Sequence, residues 1–303
     1  MVEQAGNDGE LRRFILEVHP VRGMWVRLRG AWDALRQHQH YPPEVEALVG
    51  EAAIATVLLA ATLKFQGTLT LQLNGNGRVR LLVAQCTHDF KLRAVARLNE
   101  AAAGGTDFRS LVGDGRLTVT VEADERHTRY QGIVALEGAG LAECLEAYFA
   151  TSEQLPTRLK VSADAHTAAG LLIQKLPTAA GEASGAVSLD VWEDLQAGLA
   201  SIEPTALRAE GAETLLHRLC GAHDCRLFGV TPVEFFCRCN PERVAGLLRS
   251  LGSDEMHAVL AEQGAVSVTC EFCGRPYRFD AVDVEQLFAG GSGALPPTPS
   301  SLN

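Results

Sequence analysis

Apolar and polar residues alternate along several short segments of the N-terminal half, which is the pattern of half-buried β-strands. In residues 69–73, leucines alternate with polar residues, and a second alternation covers 79–83 after the turn sequence Asn74-Gly75-Asn76-Gly77. Asn-Gly dipeptides suit tight hairpin turns because both residues tolerate positive φ angles. The pattern therefore predicts a β-hairpin here, and further strands are predicted at 12–28, 117–121, 130–136 and 171–176.

A longer apolar segment predicts a buried helix. The sequence Tyr41-Pro42-Pro43 places proline in the first helical turn, where its missing N–H breaks no hydrogen bond, and the helical pattern continues to about Phe65. The apolar run inside it, 52–63, covers 12 residues, whereas a membrane span needs roughly 20. We therefore expect a core helix, no membrane partner and, because residues 1–13 are too polar for a signal peptide, a cytoplasmic protein.

The composition of the chain changes after Pro177. Residues 178–188 are rich in Ala, Gly and Ser, which is typical of a hinge, and beyond them Val191, Trp192, Leu195 and Leu199 recur at helical spacing. Residues 178–236 carry nine acidic and three basic residues, a net charge of −6 out of the chain's −10. An amphipathic helix buries its apolar stripe only by docking on a neighbour, so we expect these helices to pack against another part of the protein.

The last part of the chain has clear helix boundaries. Asn240-Pro241 is typical of an N-cap followed by proline, Gly252 should end that helix, and a second helix should run from Ser253 to Gly264. We therefore predict an α+β protein with an N-terminal mixed α/β core that contains a central β-sheet (1–177), an amphipathic helical linker (178–233) and a small C-terminal zinc-binding domain (234–288). Residues 289–303 are predicted to be a disordered tail because they are rich in Gly, Ser and Pro.

Four cysteines in the predicted C-terminal domain suggest a metal site: Cys237, Cys239, Cys270 and Cys273. Two close pairs on separate segments are the usual ligand set of a tetrahedral structural zinc, and a domain of this size is marginally stable without one. Both pairs could also form disulfides, but such disulfides would close only very small loops and would stabilise the fold little. Oxidation would thus exchange a strong constraint for a weak one, which is the behaviour of an unfolding switch.

The other four cysteines invite simpler interpretations. Cys86 on the hairpin and Cys144 on a short predicted helix (141–149) are expected to be core residues. The group His217, Cys220, His223 and Cys225 could be an accessory metal or redox site. The interpretation that we favour is that Cys220 packs in its helix beside Leu216 and Leu219 while the histidines face solvent, because the spacing matches no established metal motif.

Two other functions compete with a regulated zinc domain. A thiol–disulfide oxidoreductase could use Cys270 and Cys273, but the following Gly274-Arg275-Pro276-Tyr277 resembles a turn rather than the helix that activates such thiols. A zinc-ribbon nucleic-acid binder would need clustered basic residues, and the acidic charge balance argues against it. Because the sequence also lacks a P-loop, a Gly-x-Ser-x-Gly and a His-Glu-x-x-His motif, we do not expect an enzyme.

The whole chain resembles the heat-shock protein 33 family of redox-regulated holdase chaperones. The resemblance rests on the Cys-Arg-Cys and Cys-Glu-Phe-Cys-Gly motifs and on several N-terminal blocks: Arg22-Gly23, Leu63-Lys64-Phe65-Gln66-Gly67, Leu71-Gln72-Leu73, Arg129-Tyr130-Gln131-Gly132, Ser152-Glu153-Gln154-Leu155-Pro156-Thr157 and Gln174-Lys175-Leu176-Pro177.

The resemblance implies an ATP-independent chaperone of the bacterial cytoplasm that is inactive while it is reduced and holds one zinc ion per chain on Cys237, Cys239, Cys270 and Cys273. It further implies that oxidants such as hypochlorite form the disulfides Cys237–Cys239 and Cys270–Cys273 and expel zinc. The linker would then undock, and the oxidised homodimer would bind unfolding client proteins. Cys220 and Cys225 depart from the family pattern as extra thiols that could form other disulfides.

Overall fold

The computed structural model describes residues 9–100, 102, 105–123, 128–177, 189–221 and 223–289. The strands of the described residues are β1 Gly9–Leu16, β2 Val21–Leu28, β3 Gly67–Asn74, β4 Val79–Thr87, β5 Lys91–Leu98, β6 Arg116–Ala123, β7 Thr128–Ala135, β8 Thr157–Ala163, β9 Ala168–Lys175, β10 Cys225–Pro232, β11 Glu234–Phe235, β12 Val266–Thr269 and β13 Pro276–Phe279. The α-helices are α1 Gly30–Arg36, α2 Pro43–Thr62, α3 Phe108–Val112, α4 Leu141–Tyr148, α5 Leu189–Ser201, α6 Pro204–Ala209, α7 Ala212–Cys220, α8 Pro241–Leu251, α9 Ser253–Gln263 and α10 Ala281–Ala289. The predicted α+β class is confirmed.

The described residues form two compact units. One contains the residues up to Arg36 together with His40–Phe236, and the other contains Gln37–Gln39 and the residues from Cys237 onward. The predicted hinge at 178–188 and all of the predicted disordered tail except Ala289 lie outside the described residues. The division of the chain into core, linker and zinc domain stays a prediction.

The larger unit is built on two sheets, with strand orders β10-β1-β2-β9-β8 and β11-β5-β4-β3-β6-β7. The hairpin predicted around Asn74–Gly77 is confirmed as β3 and β4, which pair antiparallel with Leu71 opposite Ala84. The two strands predicted within 12–28 are confirmed as β1 and β2, but the break predicted at Val21-Arg22-Gly23 is wrong, because the chain bends at 17–20 and these residues begin β2. The sequence pattern predicted these strands, but it did not predict their division between two sheets.

The core of this unit is centred on α2, which contacts strands of both sheets. Most of its residues are buried on all sides, so the prediction of a core helix is confirmed. By length and composition this helix could span a membrane, yet 78% of its most apolar 18-residue stretch is buried inside the protein. The close approach of α2 to β9 requires Gly170, because a Cβ there would lie 2.3 Å from the Cγ2 of Ile54.

The helices α5, α6 and α7 pack on one face of the five-stranded sheet. Their apolar residues form one buried cluster with residues of β1, β2 and β9, including Trp192 and Leu195 on α5 and Trp25 on β2. The expectation that this amphipathic stripe docks on a neighbour is therefore confirmed. The chain then forms β10, which the sequence pattern did not predict and which pairs antiparallel with β1.

The smaller unit has its own apolar cluster, made by α8, α9, α10 and the β12–β13 hairpin. The predicted helix boundaries are confirmed. The side chain of Asn240 accepts a hydrogen bond from the backbone N–H of Arg243, and Gly264 ends α9 in the left-handed conformation. Because α8 begins directly after its N-cap Asn240, the first helix of this cluster follows Cys239 closely in the chain.

Candidate metal centre

One pair of cysteines lies on the turn between β12 and β13. The backbone N–H of Cys270 donates to the carbonyl of Arg275 at 2.9 Å, and the N–H of Gly274 donates to the carbonyl of Cys270 at 2.7 Å. Gly274 has a φ angle of +65°, which glycine adopts without the steric cost of a side chain. These hydrogen bonds hold a tight knuckle that carries Cys270 and Cys273 on a rigid hairpin.

The second pair, Cys237 and Cys239, lies on an extended segment directly before the N-cap of α8. The guanidinium of Arg243 in the first turn of α8 donates to the carbonyl of Arg238 at 3.2 Å. The same helix is anchored in the apolar cluster through Val244 and Leu248. The position of this cysteine pair is thus tied to the fold of the smaller unit.

The fold brings all four sulfurs within 4.8 Å of one another, so that they could hold a metal ion. Two of these separations join the two pairs, with 3.6 Å between the Sγ atoms of Cys237 and Cys270 and 3.3 Å between those of Cys239 and Cys273. Four sulfurs about 2.3 Å from one zinc ion at tetrahedral angles would lie about 3.8 Å apart. The observed separations are close to that value.

The electrostatics of the cluster favour ionisation at one thiol. Burial raises the pKa of Cys237 and that of Cys273. Burial acts in the same direction on Cys239, but the Tyr277 hydroxyl and the neighbouring thiols, which can donate to its thiolate, outweigh burial and lower the pKa of Cys239. The Cys239 thiol is therefore the one that the protein itself stabilises as a thiolate.

The hydroxyl of Tyr277 fits a site for anionic sulfur. It is buried and, among the described residues, has no hydrogen-bond partner at normal geometry. A buried hydroxyl without a partner is unfavourable, and an ionised Cys239 would supply the missing acceptor. Four thiols with this buried donor beside them match the soft ligand set and the outer-shell hydrogen bonding of structural zinc.

Sequence reasoning missed two residues that contact the knuckle. The side-chain amide of Gln39 donates to the carbonyls of Glu271 at 2.8 Å and Phe272 at 3.2 Å. His38 packs against Gly274, where an added Cβ would lie 2.1 Å from the Cβ of His38. No sequence signal pointed to them, because more than 230 residues separate Gln39 from the knuckle carbonyls.

The second group of potential ligands does not assemble as a metal site. Cys220 is buried beside Leu216 and Leu219, and His217 is exposed, as expected for a packed helix. His223 is half-buried and hydrogen bonds to Asp194 at 3.1 Å. Among the described residues, only the four C-terminal cysteines bring three or more potential ligand atoms together.

The two remaining cysteines are core residues, as predicted. Cys86 lies on β4 and Cys144 on α4, and both are buried in the main apolar cluster. Burial raises the pKa of both thiols. They are therefore poor candidates for redox chemistry and useful internal controls for it.

Comparison with known proteins adds a family relationship to this geometry. A family model described as Hsp33 protein matches residues 9–280. A 33 kDa chaperonin from Nitrosococcus oceani is 40% identical over 282 residues, which cover 93% of this chain and 95% of the relative. A 33 kDa chaperonin from Pseudomonas paraeruginosa is 42% identical over 293 residues, which cover 94% and 96% of the two chains.

A solved structure has the same fold. It is a 33 kDa chaperonin, a heat shock protein 33 homologue, from Thermotoga maritima. The match covers 92% of this chain and 97% of that chain, with a TM-score of 0.77 at 24% identity.

Proposed function

Because the chain belongs to the Hsp33 protein family, we propose that it is a redox-regulated, ATP-independent holdase chaperone. In this proposal the reduced protein is inactive, and oxidation of its C-terminal cysteines allows it to bind unfolding proteins. The observation that carries the proposal is the meeting of four thiols from two distant segments within 4.8 Å. Such a cluster can be held closed by a metal and opened by an oxidant.

Cys237, Cys239, Cys270 and Cys273 are the residues that would hold one zinc ion per reduced chain. When bound, the zinc would act as a structural cross-link between the segment before α8 and the β12–β13 turn. Cys239 would enter the site most readily as a thiolate, and Tyr277 would donate its hydroxyl hydrogen to that sulfur. The knuckle hydrogen bonds keep the other pair in position.

Oxidation within each pair would remove the cross-link. The proposed disulfides Cys237–Cys239 and Cys270–Cys273 each join residues of one short segment and leave the two segments unconnected. Close contacts also run between the pairs, from Cys237 to Cys270 and from Cys239 to Cys273. A disulfide along either of those contacts would close a long loop and would stabilise the unit by about 4 kcal/mol, so the connectivity decides whether oxidation unfolds it.

The docked helices supply a candidate client-binding surface. Unfolding of the C-terminal unit would release the chain that precedes Cys237, and α5–α7 could then leave the sheet. Undocking would expose the apolar residues that α5–α7 and the five-stranded sheet now bury against each other. We propose that clients bind this surface, that the active form is a homodimer and that the protein acts in the cytoplasm.

The alternative function as a thiol–disulfide oxidoreductase has less support. Catalytic cysteine pairs of that class lie at a helix N-terminus, which lowers the pKa of the attacking thiol. Here Cys270 and Cys273 lie on a turn between two antiparallel strands, and the pKa of Cys273 is raised by burial. A regulatory role of these thiols fits this environment better than catalytic turnover.

Hypochlorite treatment tests the proposed function directly. We expect the reduced protein to contain about one zinc ion per chain and to leave aggregation of a thermally unfolding client unchanged. After oxidation, zinc should be released, mass spectrometry should find Cys237–Cys239 and Cys270–Cys273, and light scattering should show suppressed client aggregation. Oxidised, zinc-free protein that fails to suppress aggregation would contradict the proposal.

The variant Tyr277→Phe tests the outer shell of the site. Because it removes only the buried hydroxyl, the ring should keep its place in the apolar cluster while zinc affinity falls about 10- to 100-fold. Competition with a chromophoric zinc chelator measures the change. Tyr41→Phe is the matched control, since the Tyr41 hydroxyl bonds to Ala96 in the other unit, and equal zinc affinities of the two variants would argue against this role.

A further inference from the structure

A second pair of thiols meets outside the metal centre. Cys220 is the last residue of α7 and Cys225 is the first residue of β10. Gly221 has a φ angle of +57° where the chain turns, and the backbone N–H of His223 donates to the carbonyl of Cys220 at 2.9 Å. This turn places the two cysteines side by side at the end of α7 and the start of β10, where both line one cavity.

Both cysteines line a solvent-accessible cavity of 390 Å³. The two cysteines differ in exposure. Cys220 is 3% exposed and packs with Leu216 and Leu219, whereas Cys225 is only half-buried. A small oxidant that enters the cavity would therefore reach Cys225 first.

The electrostatics point to the same residue. The hydrogen bond from Cys220 lowers the pKa of Cys225 and outweighs the opposing effects of burial and of the Glu17 carboxylate. The same hydrogen bond, with burial, raises the pKa of Cys220. Cys225 is thus suited to attack an oxidant, and Cys220 is suited to resolve the product.

We propose that Cys220 and Cys225 are a second redox site, which forms an intramolecular disulfide in the presence of a peroxide. The Cys225 thiolate attacks one peroxide oxygen, the O–O bond breaks, and protonation of the leaving oxygen releases water and gives a sulfenic acid on Cys225. The sulfur of Cys220 then attacks the Cys225 sulfur, the S–O bond breaks, and the hydroxyl leaves as a second water with the thiol proton. Two thiols are oxidised by two electrons, and hydrogen peroxide is reduced to two waters.

The disulfide would connect α7, which packs on the five-stranded sheet, to β10, an edge strand of that sheet. Cys225 lies opposite Leu16 in the β1–β10 pairing, and the adjacent Arg226 forms an ion pair with Glu17 at 2.6 Å. A bond to Cys220 would tie the end of α7 to this strand. This site goes beyond the proposed function, which depends only on the four C-terminal cysteines.

Peptide mapping of the full-length protein tests the proposal. Cleavage after Arg218 and Arg226 releases one tryptic peptide, 219–226, that contains both cysteines. After brief exposure of the reduced, zinc-loaded protein to hydrogen peroxide, this peptide should lose two hydrogens and resist alkylation. The Cys225 thiol should be lost on the order of tenfold faster than the buried thiols of Cys86 and Cys144 in the same digest.

Two single substitutions test the assigned roles. In Cys220→Ser, Cys225 should accumulate a sulfenic acid that dimedone traps, whereas in Cys225→Ser the buried Cys220 should stay reduced. An unmodified peptide 219–226 under conditions that release zinc and activate the chaperone would overturn this site and leave the proposed function intact. If peptide 219–226 is oxidised but no zinc is released even at a higher oxidant concentration, this second site is supported and the proposed function is contradicted.

Discussion

Removal of zinc from the reduced protein is expected to unfold the C-terminal unit and to leave the larger unit folded. The reason is the small size of its apolar core. Nine buried residues make up its cluster, which draws on α8, α9, α10 and one hairpin. A unit of this size gains little from core burial and is marginally stable at best without a further cross-link.

The expected contribution of the metal is as large as the whole stability of a typical domain. Structural zinc adds about 10–16 kcal/mol of apparent folding free energy in small domains, whereas whole domains are stable by about 5–15 kcal/mol. No gain elsewhere in a cluster of this size offsets that loss. We therefore expect complete unfolding of the unit rather than loosening.

Amide hydrogen exchange measures this outcome. With chelator and reductant, peptides from α8 and α9 should exchange at the rate of an unfolded chain, while peptides from α2 should stay protected. Cys239→Ser should behave in the same way even with zinc present. The matched control is Cys225→Ser, which changes a similarly exposed cysteine in the other unit, and lasting protection of α8 in metal-free reduced protein would contradict the structural role of zinc.

The parts of the fold that were predictable from sequence have strong local signals. The β3–β4 hairpin follows from strict alternation around Asn-Gly dipeptides, and α2 follows from an apolar run behind two prolines. The start of α8 at Asn240-Pro241 depends on a local hydrogen bond that the structure contains. Each of these features is decided within a few residues of chain, so no tertiary information was needed.

The pairing of strands depends on contacts that the sequence does not record. Strand β2 pairs with β9, where Trp25 lies opposite Leu171, although 146 positions separate these two residues along the chain. Strand β10 was missed because most of its side chains are exposed, with Phe228 and Val230 facing solvent, so no alternating pattern marks it. Its position is set by backbone hydrogen bonds to β1 rather than by side-chain burial.

The candidate metal centre was likewise predictable from the sequence only in part. Residue type and spacing pointed to the four cysteines, since few other arrangements place thiols so close in sequence. The outer shell was not predictable, because Tyr277 looks like an ordinary strand residue and Gln39 comes from the other end of the chain. The close contacts between the two cysteine pairs are likewise a tertiary property that the sequence does not record.

Leu195→Asp is expected to activate the chaperone without oxidation. Leu195 on α5 is completely buried in the cluster that joins α5–α7 to the five-stranded sheet. A carboxylate at that position would lose its hydration without gaining a partner, and a buried uncompensated charge costs several kcal/mol. The helix can avoid this cost by leaving the sheet, which should expose the apolar surface proposed to bind clients.

Tryptophan fluorescence reports the undocking independently of activity. Trp192 is 7% exposed and Trp25 is fully buried in the same cluster, so both should shift to longer emission wavelengths when α5 leaves. The reduced variant should then suppress client aggregation to the level of oxidised wild type while its zinc stays bound. Zinc retention separates this route from unfolding of the C-terminal unit.

Ala197→Asp is the matched control because it adds the same charge to the same helix at an exposed position. It should leave both the fluorescence and the inactive state unchanged, since a solvated carboxylate on the outer face of α5 incurs little desolvation cost. If Leu195→Asp shifts the fluorescence and still fails to suppress aggregation, the surface under α5 is not where clients bind. Activity in both variants would instead mean that added negative charge, and not undocking, controls the chaperone.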